Sequence, residues 1–258
     1  MKQWHRIIKA AKTVERAVDW VSTMDLSLIF NTTLCVEADP GLPAKLKIIP
    51  LLSEQMNVLD LTAKGSLEDT TMWMVVQKLF GRDTTVVIIN PTTARNDSIR
   101  TDRDTLRDIL YGVSTERILI PINCNGNHWC AIIVNMATAE IILYDPMHSS
   151  YMTNILSVAG SLVSVLPDAG VTRYHIRTYE ASHGIQMDSY TCGVYVLAVF
   201  QMLCGAFAVG TFDKKMLQCL RYRYLCIAFE YIHFKLQITF HFSLHNISNA
   251  NRGGHFEV

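Results

Sequence analysis

From Cys192 to Phe212 the chain reads CGVYVLAVFQMLCGAFAVGTF, with no charged residue. An uncharged run of this length either crosses a membrane, which takes roughly 20 apolar residues, or forms a helix that a protein core encloses on every side. Gln201, Gly205 and Gly210 interrupt the run, and no basic cluster marks one end of it. Both features disfavour a membrane span. The run therefore predicts a helix from Val194 to about Gly205, buried in a globular core, and the remaining sequence must supply the layers around it.

The flanking sequence can do this. Half of the 258 residues are hydrophobic and 18% are charged, enough apolar material for a sizeable core. TTVVIIN (84–90), RILIPIN (117–123), HWCAIIVN (128–135), EIILYD (140–145) and YHIRTYE (174–180) are β-branched or alternating runs and predict strands. Helical spacing appears over 3–21, 101–112, 155–166 and 214–232. GSLEDTTMWMVVQKLFG (65–81) has Ser66 as a predicted N-cap and Gly81 as a stop. Prolines 40, 43 and 50 make 31–60 an irregular connection or short strands. Helices, then a block of strands, then helices indicate an α+β fold.

Charge and cysteine usage narrow the function classes. Lys plus Arg and Asp plus Glu both number 23, and no stretch is densely basic, so a nucleic-acid partner is not expected. The seven cysteines are irregularly spaced and lack a CxxC pair, as in a reduced intracellular protein. The first twenty residues carry scattered charges and no signal-peptide core. The sequons at Asn31, Asn96 and Asn246 then read as chance matches.

Two separated features carry chemistry. If the turn in NGNHWCAIIVNMATAEIILYDPMH is centred near 136–138, His128 faces positions 145–147, and Asp145 meets it at the open end of one hairpin. A carboxylate on one ring nitrogen fixes the tautomer and favours the imidazolium. The second feature is IQMDSYTCG. A helix beginning near Cys192 places the thiol at its positive end, where the thiolate is favoured. Gly193 lets substrate backbone come close, and the Gln186 amide can donate to a developing oxyanion. Nucleophile, base, orienting acid and oxyanion donor are all available.

HW after an apolar strand, YD closing the next strand and Q-x-D-x-x-x-CG before an apolar helix resemble the SUMO-specific (ubiquitin-like-protein) cysteine proteases. SLEDTTMWMVVQKL is similar to that family's Leu-x-Asp helix opening. The resemblance covers roughly residues 65–230. It implies a papain-like α+β domain: a central mixed sheet packed on helices, with the nucleophile at a buried helix N-terminus. It also implies His128 as base, Asp145 as its orienter, Gln186 as oxyanion donor, Cys192 as nucleophile, and Trp129 with Gly193 at the substrate. The implied activity is cleavage after the Gly-Gly tail of a ubiquitin-like modifier or its conjugates, in nucleus or cytoplasm, with no cofactor, metal or membrane. Two positions depart from the pattern. Thr191 stands where the family usually has Asp, and Ser66 where it often has the Trp that walls the tail's tunnel.

The expected organisation is an N-terminal helical extension over 1–60, a protease domain over 61–235 and a tail of unassigned structure over 236–258. Two alternatives stay open. One is an inactive relative that only binds ubiquitin-like proteins. The other is a zinc site on Cys124, His128 and Cys130, although C-x3-H-x-C is not a common structural zinc spacing.

Overall fold

The strand-forming runs join into one five-stranded sheet in a computed structural model, which describes residues 2–25, 38–93, 103–112, 115–166, 173–206 and 210–229. The strands β1 (Val86–Ile88), β2 (Arg117–Cys124), β3 (His128–Asn135), β4 (Glu140–Tyr144) and β5 (His175–Thr178) lie side by side in chain order. The three central strands are antiparallel, and each outer strand runs parallel to its neighbour. The sheet is mixed and the fold α+β.

Alternation along the central strands sends side chains to two cores. On β3, Trp129, Ala131 and Ile133 enter one cluster, while Cys130, Ile132 and Val134 enter the other. The second cluster is closed by α4 (Arg103–Leu110) and α5 (Tyr151–Val163), through Leu106, Leu110, Ile155 and Leu162. The first contains α6 (Cys192–Leu203), with α1 (Lys2–Ser22), α2 (Leu42–Lys47), α3 (Asp69–Phe80) and a last helix, α7 (214–229), around it. Every α6 residue from Cys192 to Gln201 is buried, which is why this helix has no polar face. Its one polar residue is satisfied: Gln201 Oε1 accepts from Arg223 at 2.8 Å and from the Tyr224 hydroxyl at 3.0 Å, both on α7. Among the described residues no helix is long and apolar enough to cross a membrane.

Two sequence expectations change. The helix expected to open on Ser66 begins at Asp69, with Glu68 at the N-cap and no side-chain cap bond. Burial of Leu67 keeps the preceding chain extended. Within 31–60, the described part is helical rather than extended. It holds α2, which starts with proline in its first turn, and a 3-10 helix over Glu54–Leu61. The N-terminal segment also shares the first core, since Val14, Ala17, Val21, Leu42 and Leu46 belong to the cluster that holds α6. The tail over 236–258, the three sequons and Cys35 lie outside the described residues.

Candidate active site

Two tight turns bring the site's histidine and acid together. Asn125 and Gly126, both at positive φ, turn β2 into β3 and put His128 at the first position of β3. The β3–β4 pairing runs from Asn135↔Glu140 to Ala131↔Tyr144, so Asp145 leaves the end of β4 beside His128. The His128 Nε2–H donates to Asp145 Oδ1 at 2.8 Å. That oxygen also accepts the Met147 N–H at 2.9 Å, and Oδ2 accepts the Ser149 N–H and hydroxyl, each at 2.7 Å. Burial resists ionisation of Asp145, but the bonds from His128, Ser149 and Met147 prevail and hold it at about 2. Burial likewise works against a charged His128. The bonds to Asp145 and to Cys192 outweigh it and raise the ring to about 9. Tyr151, from α5, stacks on the ring with centroids 5.3 Å apart.

Cys192 is the first residue of α6, and its thiol lies near enough to the His128 ring to favour the ring's charged form. No side chain caps this helix, which leaves its positive end to the thiol. The pair is nearly enclosed: Cys192 is 1% exposed and His128 4%.

Gln186 lies on a loop tied to the end of the hairpin. Its N–H donates to the Pro146 carbonyl at 2.9 Å. Earlier in the loop, His183 Nε2 sits against the Tyr144 hydroxyl at 3.0 Å; burial lowers this ring to about 4, so the hydroxyl meets a neutral imidazole. The Gln186 carboxamide is buried, with Nε2 donating to the Asp188 carbonyl at 2.6 Å and Oε1 without a partner.

The two residues expected at the substrate have partners within the chain. Trp129 is 2% exposed and donates its indole N–H to the Leu67 carbonyl at 2.8 Å, so it is not an open wall. A Cβ on Gly193 would lie 2.8 Å from Leu67 Cδ1. The close approach that glycine permits here is by Leu67. Leu67 in turn leads into Asp69, which accepts from Asn123 Nδ2 at 2.6 Å.

Sequence reasoning overlooked Ser149, Tyr151, Leu67 and Arg221. An Asp-Pro turn followed by serine was a usable signal for Ser149. Nothing in the sequence marked Arg221, which is 1% exposed on α7 and donates to the carbonyls of Asp60 (3.0 Å), Gly65 (2.8 Å) and Tyr190 (2.7 Å). Among the described residues, His128, Cys130 and Asp145 are the group whose metal-ligating atoms lie close together, within 4.8 Å. Nε2 and both carboxylate oxygens of that group are already engaged in hydrogen bonds. A cavity of about 530 Å³ opens behind the 185–191 loop, between Trp20, Met187, Tyr190 and Phe212, and neither His128, Asp145 nor Cys192 lines it.

Residues 112–224 match the sequence profile of the Ulp1 protease family, C-terminal catalytic domain. No curated protein matches the chain in sequence. Among solved structures it is similar to the SUMO protease Ulp1 with its catalytic cysteine oxidised to a sulfenic acid. The TM-score is 0.56 at 15% identity, over 86% of this chain and 94% of that one. It is similar to the Ulp1-like SUMO protease catalytic domain of Chaetomium thermophilum, with TM-score 0.53 at 14% identity over 86% and 88% of the two chains. It also resembles the Ulp1 protease domain in complex with Smt3, the yeast ortholog of SUMO, with TM-score 0.51 at 15% identity over 67% and 80%. At these identities the structural likeness speaks for the fold.

Proposed function

We propose that the protein is a cysteine peptidase of the Ulp1 protease family, whose sequence profile residues 112–224 match. It hydrolyses the peptide or isopeptide bond that follows the Gly-Gly tail of a ubiquitin-like modifier, SUMO being the first candidate. The observation that carries this reading is the buried His128–Asp145 pair with Cys192 at the first position of the enclosed helix α6.

The thiol proton resides on His128, giving a thiolate–imidazolium pair. The thiolate attacks the carbonyl carbon of the last glycine, and the carbonyl oxygen becomes an oxyanion. Gln186 Nε2–H and the Cys192 backbone N–H donate to that oxygen. As the C–N bond breaks, His128 passes its proton to the leaving amine, and a thioester remains on Cys192. The neutral ring then takes a proton from water, the hydroxide equivalent attacks the thioester, and the thiol and a free carboxylate are released. Asp145 stays ionised and keeps the ring oriented throughout.

The near-closure of the thiol favours a thin substrate. A glycine pair has no side chains to accommodate, so it can approach a sulfur this enclosed. The test is a panel of ubiquitin-like proteins carrying a C-terminal electrophile, incubated with the native protein and with Cys192→Ala. A covalent adduct with native protein alone, accompanied by turnover of the matching amide, is the expected result. Equal binding of both proteins without adduct or turnover would favour a non-catalytic binding module.

A further inference from the structure

Asp188 stands between the two groups that the proposed reaction must align. Its Oδ1 accepts the N–H groups of Tyr190 (2.9 Å) and Thr191 (2.8 Å) and the Thr191 hydroxyl (2.7 Å), which fixes the residue just before the thiol. Its main-chain carbonyl accepts Gln186 Nε2–H at 2.6 Å, and Oδ1 lies 3.3 Å from the same nitrogen. One residue thus holds the amide on one side and the start of α6 on the other. The Asp188 carboxyl is held below the usual range: burial opposes this, and the bonds from Thr191, Tyr190 and Gln186 overcome it.

The carboxamide has only one way to sit. Gln186 is 3% exposed and, among the described residues, Oε1 has no partner, so Nε2 alone orients it. Turned over, Oε1 would face the Asp188 carbonyl, acceptor against acceptor. In the observed orientation both bonds of Nε2 go to Asp188, a short one to the carbonyl at 2.6 Å and a longer one to Oδ1 at 3.3 Å. The turn 186–191 also contains no other acid, because position 191 is Thr.

We propose that Asp188 is a positioning residue that holds the Gln186 carboxamide nitrogen beside the turn leading into Cys192, so that the oxyanion formed on Cys192 attack takes the amide hydrogen of the longer Oδ1 contact. This rests on the reading of Gln186 as an oxyanion donor. Asp188 touches no reacting atom and acts through Gln186.

The test compares native protein with Gln186→Ala, Asp188→Ala, the double variant and Asp188→Asn. Three quantities are read. They are kcat on a fluorogenic C-terminal amide of the modifier that native protein turns over best, affinity for the same modifier ending in glycine aldehyde, and the rate of Cys192 alkylation by iodoacetamide. The aldehyde adduct carries an oxyanion, whereas alkylation requires the thiolate alone. Loss of a full oxyanion donor costs on the order of 10²–10³ in turnover. Asp188→Ala is therefore expected to lower kcat and aldehyde affinity by about 10–100-fold, with alkylation unchanged. Asp188→Asn retains an Oδ1 acceptor and recovers most of the loss. The double variant is no worse than Gln186→Ala, because the two residues act as one unit. Alkylation falling in step with kcat, or a double variant whose loss is the product of the two single losses, overturns the proposal while leaving Gln186 as donor. Native turnover in Gln186→Ala overturns the donor reading itself. Asp188→Ser replaces the alanine variant if that does not fold.

Discussion

The histidine half of the site is held by near neighbours in sequence, and the cysteine half by distant ones. Asp145 takes its hydrogen bonds from His128, Met147 and Ser149, all within 17 residues. The turn before Cys192 has its own Asp188, but it is clamped from α7 by Arg221, 31 residues away. The Cys192 end of α6 is also covered by Leu67, from far earlier in the chain. Arg221 reaches further still, tying the Tyr190 carbonyl to those of Asp60 and Gly65 at separations of 161 and 156 residues. A hairpin supplies its own geometry. A helix N-terminus must have its position fixed by whatever packs around it. Damage to the first half should therefore alter chemistry with little loss of stability, and damage to the distant clamps of the second should do the reverse.

The strongest test of that contrast is Asp145→Asn. Without the charge His128 loses its orienting partner, and turnover is expected to fall by roughly 10²–10⁴-fold, while urea melts show the fold retained. The pH dependence should move as well. The folded His128 value is raised to about 9, so its contribution to stability is complete below the ordinary 6.5 and is lost as pH rises through about 9. The folded Asp145 value is depressed to about 2, so its contribution is present above 3.8 and is lost as pH falls through about 2. In Asp145→Asn the alkaline limb of kcat/KM should shift to lower pH. An alkaline limb at the native position would mean that Asp145 does not support the imidazolium.

Arg221→Met tests the other half. It keeps the buried apolar stem but leaves three carbonyls without a donor, and a loss of about 3 kcal/mol is expected in urea unfolding. Turnover measured where the variant is still folded should fall much less than in Asp145→Asn. A variant as stable as the native protein would show that the clamp is dispensable.

Gly193→Ala is the finest probe. The added Cβ meets Leu67 Cδ1 at 2.8 Å and Leu67 Cβ at 3.1 Å. Overpacking of this kind costs about 1–3 kcal/mol, against up to ~1 kcal/mol gained from alanine's helix propensity. A net loss of about 1 kcal/mol is expected. Combined with Leu67→Ala the losses should be less than additive, as measured by a double-mutant cycle. Strict additivity would place the crowding elsewhere.

The His128–Asp145 contact was legible because strand register follows from a turn position, and a turn can be located in sequence. The buried α6 was legible because only burial on all sides explains an uncharged run of that length. Trp129 and Gly193 were less so. They were expected beside substrate, and the structure adds that both pack against Leu67, which no local pattern linked to them. The helix start at Asp69 was missed for the same reason: Ser66 is a good local cap, but burial of Leu67 prevails over it.

The sequence by itself determined the strand block, the enclosed helix, the hairpin that pairs a base with an acid, and the residue types needed for thiol chemistry. These depend on periodicity and on contacts between near neighbours, and both can be read along the chain. Only the tertiary structure decided which way the Gln186 amide faces, what covers Gly193, and that an arginine on the last described helix holds the loop before the thiol. Those facts depend on contacts that span 31 to 161 residues, or on which of two nearly equal orientations the surrounding acceptors permit. Neither leaves a periodic trace in the sequence.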